Sequence, residues 1–148
     1  MADEVLLYSG QFDESMVLPY YEAGVKAGFP SPAQDYLSQS LDFNRDLIKH
    51  PEATFYARVI GDSMKDAGIN DGDIVVIDRA LGPQDGDIVV AYIDGEFTMK
   101  YFDVTHKEDG YIELIPANDK YPRIRVEGDE NFNIWGVIVW TIKKPCKR

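Results

Sequence analysis

The sequence predicts a mainly β fold of short strands, with a small helical segment and an extended N-terminal arm. Three observations support this class. From residue 54 onward, segments rich in valine, isoleucine, tyrosine and phenylalanine alternate with turns rich in glycine, aspartate and proline. Helix signals are confined to residues 31–51, and residues 1–27 carry only short apolar runs without a helical period.

The N-terminal 27 residues are expected to form the arm. Residues 5–8 and 16–21 are apolar runs separated by serine, glycine, aspartate and glutamate. Such runs suit short strands that lie on another surface, and they are too apolar for a purely disordered tail. We therefore predict an arm at 1–27 and one globular domain at 28–148.

A helix is expected to begin at Ser31, which can cap it, with Pro32 in the first helical position and Gln34 placed to reach back to the cap. Whatever helix runs through Asp42 to His50 should end before Pro51. This part of the chain is the small helical segment of the prediction.

Strands account for the rest of the prediction. Between two of them, Asp94-Gly95 is a two-residue signal for a tight hairpin. The predicted strands cover residues 54–60, 73–78, 87–93, 96–104, 111–115 and 132–142.

Composition restricts the classes of function. The 148 residues carry a formal net charge of -11, so the surface should repel DNA, and no direct DNA binding is expected. No apolar run is long enough to cross a membrane, no signal segment stands at the N-terminus, and Cys146 is the single cysteine. These features predict a soluble cytoplasmic protein without a disulfide.

Ser63 and Lys100 are the candidate catalytic residues. Ser63 falls in a glycine-rich turn between two predicted strands, where its hydroxyl can project, and Lys100 lies in a later strand. A lysine activates a serine only when it is neutral, so its reference pKa near 10.4 must fall by about three units, or about 4 kcal/mol. Burial among apolar groups can supply this, and we expect Phe97, Met99 and Tyr101 to form the apolar wall.

Each candidate also has an ordinary structural interpretation. A serine after aspartate in such a turn commonly bonds its own backbone, and a lysine on a strand commonly lies in solvent at a sheet edge. Ala27-Gly28, a candidate cleavage site, would then be a flexible joint before the Ser31 cap. On local sequence alone these interpretations are the stronger ones.

Other catalytic and metal centres are not expected. A Ser-His-Asp triad would need His50 or His106, and both lie at positions typical of surface histidines, a helix end and a polar turn. Carboxylates crowd the Ser63 turn, but they lack the EF-hand spacing, and two histidines with one cysteine make a poor zinc site. The carboxylates in question are Asp62, Asp66, Asp71 and Asp73.

Four segments, in this order along the chain, resemble the LexA/UmuD family of self-cleaving serine–lysine peptidases. The resemblance covers the chain from Ala27 to the C-terminus and is closest to the UmuD branch. The segments are Ala27-Gly28-Phe29-Pro30-Ser31-Pro32, the turn at residues 61–73, Gly95-Glu96-Phe97-Thr98-Met99-Lys100, and Ile115-Pro116-Ala117-Asn118.

The resemblance implies a compact LexA/UmuD-type peptidase domain that cuts its own arm between Ala27 and Gly28. Ser63 would be the nucleophile and Lys100 the general base, with the backbone amides of Asp62 and Ser63 holding the oxyanion. The resemblance also implies a homodimer without a cofactor, stimulation by a RecA–single-stranded DNA filament, and a processed form that serves a Y-family polymerase in the SOS response.

Two departures and two alternatives accompany this interpretation. Only 27 residues precede the cleavage site, too few for a LexA-type DNA-binding domain, and Ala27 stands where many UmuD proteins have cysteine. The chain is alternatively a non-catalytic β-rich interaction module, or a phage-encoded or plasmid-encoded regulator of the same family. The presence of Ser63, Lys100 and Ala27-Gly28 together favours the self-cleaving peptidase.

Overall fold

The structure, a computed structural model, describes residues 4–10, 17–20, 39–128 and 131–148. The chain divides into two compact units, one made of Met1–Gly10 with Glu52–Arg148 and the other of Gln11–Pro51. Within the described ranges, no helix has the length and apolar character needed to span a bilayer.

The described residues of the smaller unit, 17–20 and 39–51, include two strands and one α-helical turn. Strand β2 (Val17–Tyr20) pairs antiparallel with β3 (Gln39–Asp42), and helix α1 (Phe43–Asp46) follows directly. Asp42 caps α1 by accepting hydrogen bonds from the backbone amides of Asn44 and Arg45. Strand β3 was not predicted, and the Ser31 helix start lies outside the described residues.

The prediction of a helix through Asp42 to His50 was wrong in extent. Helix α1 ends at Asp46, and the chain leaves helical geometry well before Pro51. Asn44 and Asp46 are weak helix formers. The Asp46 carboxylate accepts from the Asp42 amide at 2.9 Å, which stabilises the start of the helix and does not extend it.

The larger unit is built on one eight-stranded antiparallel sheet. Its strand order is β1-β4-β5-β10-β6-β7-β8-β9. The sequence predicted β4 and β10 with the bounds observed, missed β9, and placed the ends of the other predicted strands within one residue. The strands are β1 (Glu4–Ser9), β4 (Thr54–Ile60), β5 (Ile74–Asp78), β6 (Ile88–Ile93), β7 (Glu96–Asp103), β8 (Ile112–Ile115), β9 (Ile124–Val126) and β10 (Phe132–Ile142).

The predicted hairpin between β6 and β7 is confirmed. Asp94 and Gly95 have φ angles of 49° and 86°, the left-handed backbone that a two-residue turn of this kind needs. The turn brings Ile93 opposite Glu96, and that register places Lys100 opposite Val89.

The arm contributes strands, as expected from its apolar runs. Strand β1 lies along β4 in antiparallel register, from Glu4 opposite Ile60 to Ser9 opposite Phe55. The predicted boundary between residues 27 and 28 falls outside the described residues, so the division into arm and domain stays a prediction.

Two buried clusters fill the larger unit, and β6 contributes to both. Val90 belongs to one cluster, while its neighbours Val89 and Ala91 belong to the other, because successive strand residues point to opposite faces. The first cluster also holds Met64 and Met99, the residues that adjoin Ser63 and Lys100 in the sequence. The core therefore fixes the backbone on both sides of the candidate site.

Candidate functional site

Ser63 lies in the turn that joins β4 to β5. Gly61 and Gly68 bracket the turn with φ angles of 100° and 78°, which side chains with a Cβ rarely adopt. Met64 is 2% exposed and Ile69 is 3% exposed, so both anchor the turn in the core. The turn is therefore held rigidly with Ser63 between its fixed ends.

Lys100 lies in β7, on the face opposite to the one the sequence suggested. Met99 belongs to the first core cluster, and Phe97 and Tyr101 pack against it. Since side chains alternate along a strand, Lys100 points the other way, towards the face that carries Val89 and Phe102. The predicted wall of Phe97, Met99 and Tyr101 was wrong, because adjacent strand residues do not share a face.

The structure brings Lys100 and Ser63 into contact. Lys100 Nζ lies 3.0 Å from Ser63 Oγ, 2.7 Å from Thr98 Oγ1 and 3.0 Å from the Met99 carbonyl oxygen. Ser63 is 1% exposed and Lys100 is 4% exposed. The amine and the hydroxyl are thus held together away from bulk water.

These partners are compatible with a neutral amine as well as with an ammonium. A neutral lysine has two N–H donors and one lone pair. It can donate to the Met99 carbonyl, which only accepts, and to Thr98 Oγ1, while its lone pair accepts the Ser63 hydroxyl proton. Burial disfavours the ammonium relative to the amine, whereas three oxygen acceptors around Nζ favour the ammonium, so the neutral form that catalysis needs depends on desolvation.

The loop after β8, at residues 116–121, forms hydrogen bonds with the Ser63 turn. Asp66 N donates to the Ala117 carbonyl, and Ala117 N donates to the Ser63 carbonyl, each at 2.8 Å. Asn118 Nδ2 donates to the Asp62 carbonyl at 2.9 Å, and Tyr121 OH donates to Asp62 Oδ1 at 2.6 Å.

Three of the neighbours of Ser63 and Lys100 have no role predicted from the sequence. Thr98 and Asn118 stand within segments that carry the family resemblance, and Tyr121 stands in none of them. Thr98 could have been found, since it lies two residues before Lys100 and so on the same face of β7. Tyr121 carries no local signal, because its contact spans 59 positions.

Three of the carboxylates around Ser63, those of Asp62, Asp71 and Asp73, have structural partners. Asp71 accepts from Gly61 N at 2.9 Å, and Asp73 accepts from Asn70 N at 2.8 Å. Asp73 also pairs with Lys143, which belongs to the basic C-terminal segment of the chain. Across the described ranges, no group of three potential ligands could hold a metal ion.

His106 takes part in a surface cluster. Its ring stacks on Tyr111 with the ring centroids 4.8 Å apart, and it faces Asp109 and Glu113 at 3.4 and 3.8 Å. Arg125 covers the Tyr111 ring, 3.7 Å from its centroid. The described polar contact of the Ser63 hydroxyl is with a lysine, which differs from the arrangement of a Ser-His-Asp triad.

Ala27 and Gly28, the predicted cleavage site, lie outside the described residues. The backbone amides of Asp62 and Ser63, the predicted oxyanion donors, lie in the turn that the loop after β8 holds. The structure thus brings together the predicted nucleophile and base.

Comparisons with known proteins assign most of the chain to one family. The Peptidase S24-like family matches residues 19–139. The chain is 45% identical to protein ImpA of Salmonella typhimurium over 132 residues, covering 89% of this chain and 88% of ImpA. It is 40% identical to protein MucA of Escherichia coli over 126 residues, covering 84% of each chain. It is also 37% identical to the LexA repressor of Clostridium perfringens, covering 84% of this chain and 59% of the repressor. Predominantly β architecture and these matches together show that the chain belongs to the Peptidase S24-like family, as a UmuD-like member of its LexA/UmuD group.

Proposed function

We propose that this protein is a self-cleaving serine peptidase that cuts its own chain between Ala27 and Gly28. The observation that carries the proposal is the buried contact of 3.0 Å between Lys100 Nζ and Ser63 Oγ. A nucleophile and a base within hydrogen-bond reach, with the base oriented by further groups, form the unit that nucleophilic catalysis needs. Thr98 and the Met99 carbonyl orient Lys100.

The cut proceeds through an acyl-enzyme. Ser63 Oγ attacks the Ala27 carbonyl carbon while neutral Lys100 takes the hydroxyl proton. The tetrahedral intermediate collapses as Lys100 gives that proton to the Gly28 nitrogen, and residues 28–148 acquire a new amino terminus. Water, deprotonated by Lys100, then releases residues 1–27 from the ester on Ser63.

The oxyanion is held by the backbone amides of Asp62 and Ser63. Both amides belong to a turn fixed by its glycines, by Met64 in the core and by the loop after β8. Donors fixed before the reaction stabilise developing charge without reorganising, and removal of one such donor typically costs about 100- to 1000-fold in rate.

The family match supports a role in SOS mutagenesis. A RecA–single-stranded DNA filament favours the conformer in which the Ala27-Gly28 segment occupies the site, a shift of population rather than new chemistry. The processed homodimer then serves as an accessory subunit of a Y-family translesion polymerase in the cytoplasm. The net charge of -11 supports a route through proteins, without direct DNA binding.

Mass spectrometry after incubation tests the cut. The wild type should give two fragments, residues 1–27 and residues 28–148. Lys65→Ala, which removes an exposed lysine beside Ser63, should cut like the wild type, whereas Ala27→Asp should block cutting by placing a charge in a dry site. A different junction, or no cut from pH 7 to pH 11 with or without the filament, would refute the proposal.

The partners have a separate test. Adding RecA, single-stranded DNA and nucleotide should accelerate cutting at neutral pH, and the processed form should co-purify with a Y-family polymerase of its host. The purified protein alone should bind neither duplex nor single strands at physiological salt. Cutting that ignores the filament, or tight direct DNA binding, would point instead to an independent peptidase or a phage-type regulator.

A further inference from the structure

The loop at residues 116–121 contacts the Ser63 turn through side-chain hydrogen bonds as well as backbone hydrogen bonds. Besides the two backbone bonds of Ala117, it directs the side chains of Asn118 and Tyr121 at a single residue, Asp62. Asn118 reaches the Asp62 carbonyl and Tyr121 the Asp62 carboxylate. Asp62 immediately precedes the proposed nucleophile, so its peptide link to Ser63 is held from outside the turn.

The orientation of this peptide link decides where the Ser63 amide points. The described chain has no cis peptide bond, so the Asp62 carbonyl and the Ser63 N–H point in opposite directions across one plane. Asn118 Nδ2 donates to that carbonyl at 2.9 Å, and Lys65 N approaches it from within the turn at a longer 3.2 Å. The bond from Asn118 therefore also sets the direction of the Ser63 N–H.

Asn118 is itself fixed in a single orientation. The residue is 5% exposed, and its Oδ1 accepts a hydrogen bond from Lys120 N at 3.0 Å. Because a backbone N–H can only donate, the end of the amide that faces Lys120 must be the oxygen, which leaves the NH₂ group for the Asp62 carbonyl. The donor is thus oriented before any substrate enters.

We propose that Asn118 is a positioning residue for the oxyanion donor: it holds the Asp62–Ser63 peptide so that the Ser63 N–H meets the Ala27 carbonyl oxygen as that oxygen gains charge. This inference rests on the proposed self-cleavage. Loss of the Asn118 bond lets the peptide plane rotate and also leaves a turn carbonyl without one of its donors. The cut should slow by about 10- to 100-fold, less than the loss of the oxyanion donor itself.

The test compares Asn118→Ala with Asn133→Ala, a matched change at an exposed position of β10. Two reactions are followed from pH 7 to pH 11: self-cutting, and phosphorylation of Ser63 by diisopropyl fluorophosphate. In the second reaction the Ser63 Oγ–P bond forms, fluoride leaves, and Lys100 takes the proton, without any need for the arm. Asn118→Ala should slow both reactions by a similar factor and leave the midpoint of the pH profile unchanged, while Asn133→Ala should match the wild type.

A second variant covers the case in which Asn118→Ala does not fold. Asn118→Asp keeps the shape and the acceptor for Lys120 N but sets a carboxylate against the Asp62 carbonyl, so it should cut more slowly than the alanine variant. Its melting temperature, measured alongside, separates a misdirected peptide from an unfolded one.

The remaining outcomes count against the inference. Cutting at the wild-type rate in a folded Asn118 variant would overturn it. Slower cutting with normal phosphorylation would mean that Asn118 acts on the arm, and a shifted pH midpoint would mean that it acts through Lys100. A wild type that neither cuts nor reacts would instead refute the proposed function.

Discussion

Replacing Gly136 with alanine should destabilise the larger unit. Gly136 lies in β10 at a register shift against β6, and a Cβ built on it would come within 2.5 Å of Ile77 Cγ2. Ordinary contacts begin at 3.4 Å, so the new methyl is about 1 Å too close. Ile77 is fully buried and cannot swing outward, which leaves only a strained rotamer or a backbone shift.

The expected cost of this overpacking is about 1–3 kcal/mol of unfolding free energy. For a chain of this size that corresponds to a fall of about 3–9 °C in melting temperature. Chemical denaturation with two probes measures the free energy. Gly82→Ala is the matched control, because nothing lies within 4 Å of its added Cβ.

Ile77→Val in the same background gives a second check. The smaller side chain has more room to move away from the new methyl, so the double variant should lose less stability than the two single losses combined. If the Gly136→Ala protein is as stable as the Gly82→Ala control, the predicted clash with Ile77 is refuted. The close packing of β10 against β5 at Gly136 is then refuted as well.

Three further predictions concern titration and the arm. Self-cutting should become faster from pH 7 towards pH 10, because only neutral Lys100 can accept the Ser63 proton and its neutral fraction rises with pH; a flat profile of the rate measured by mass spectrometry would contradict this. The hydrogen bond from Arg45 lowers the pKa of Asp46 to about 2, so an NMR titration of Arg45→Met should show it rising towards 3.8, and an unchanged value would contradict the assigned cause. A chain of residues 28–148 should unfold cooperatively as a dimer, since both buried clusters lie between residues 57 and 137, and aggregation would count against an independent domain.

Local sequence was enough to predict most of the strands. The bounds of β4 and β10 follow from β-branched and aromatic runs, of which the first ends before Gly61 and the second before the basic tail at Lys143, and Asp94-Gly95 determines the hairpin. Strand β9, with three residues, is too short for a periodic signal. Helix α1 is shorter than predicted because capping by Asp42 starts a helix but does not extend it.

The candidate site was predicted in its two central residues and not in their surroundings. Ser63 and Lys100 were predicted because each lies in a segment that resembles the LexA/UmuD family. Their supporting contacts depend on packing between segments far apart in the sequence, such as the bond from Asn118 to Asp62 across 56 positions. The face of β7 to which Lys100 points could have been predicted from the alternation of side chains along a strand. The apolar residues beside Lys100 in the sequence led instead to the prediction of a shared face.

The claim that Ser63 and Lys100 act as one catalytic unit has a direct test in a double-mutant cycle of self-cutting. Rates of the wild type, Ser63→Ala, Lys100→Ala and the double variant are measured at pH 10 by intact mass, with Lys65→Ala as the control. If the two side chains act together, each single variant should lose all measurable cutting at Ala27-Gly28, and the double variant should lose no more. Residual cutting in Lys100→Ala that Ser63→Ala then removes would show that the serine works without this lysine, and would contradict the account.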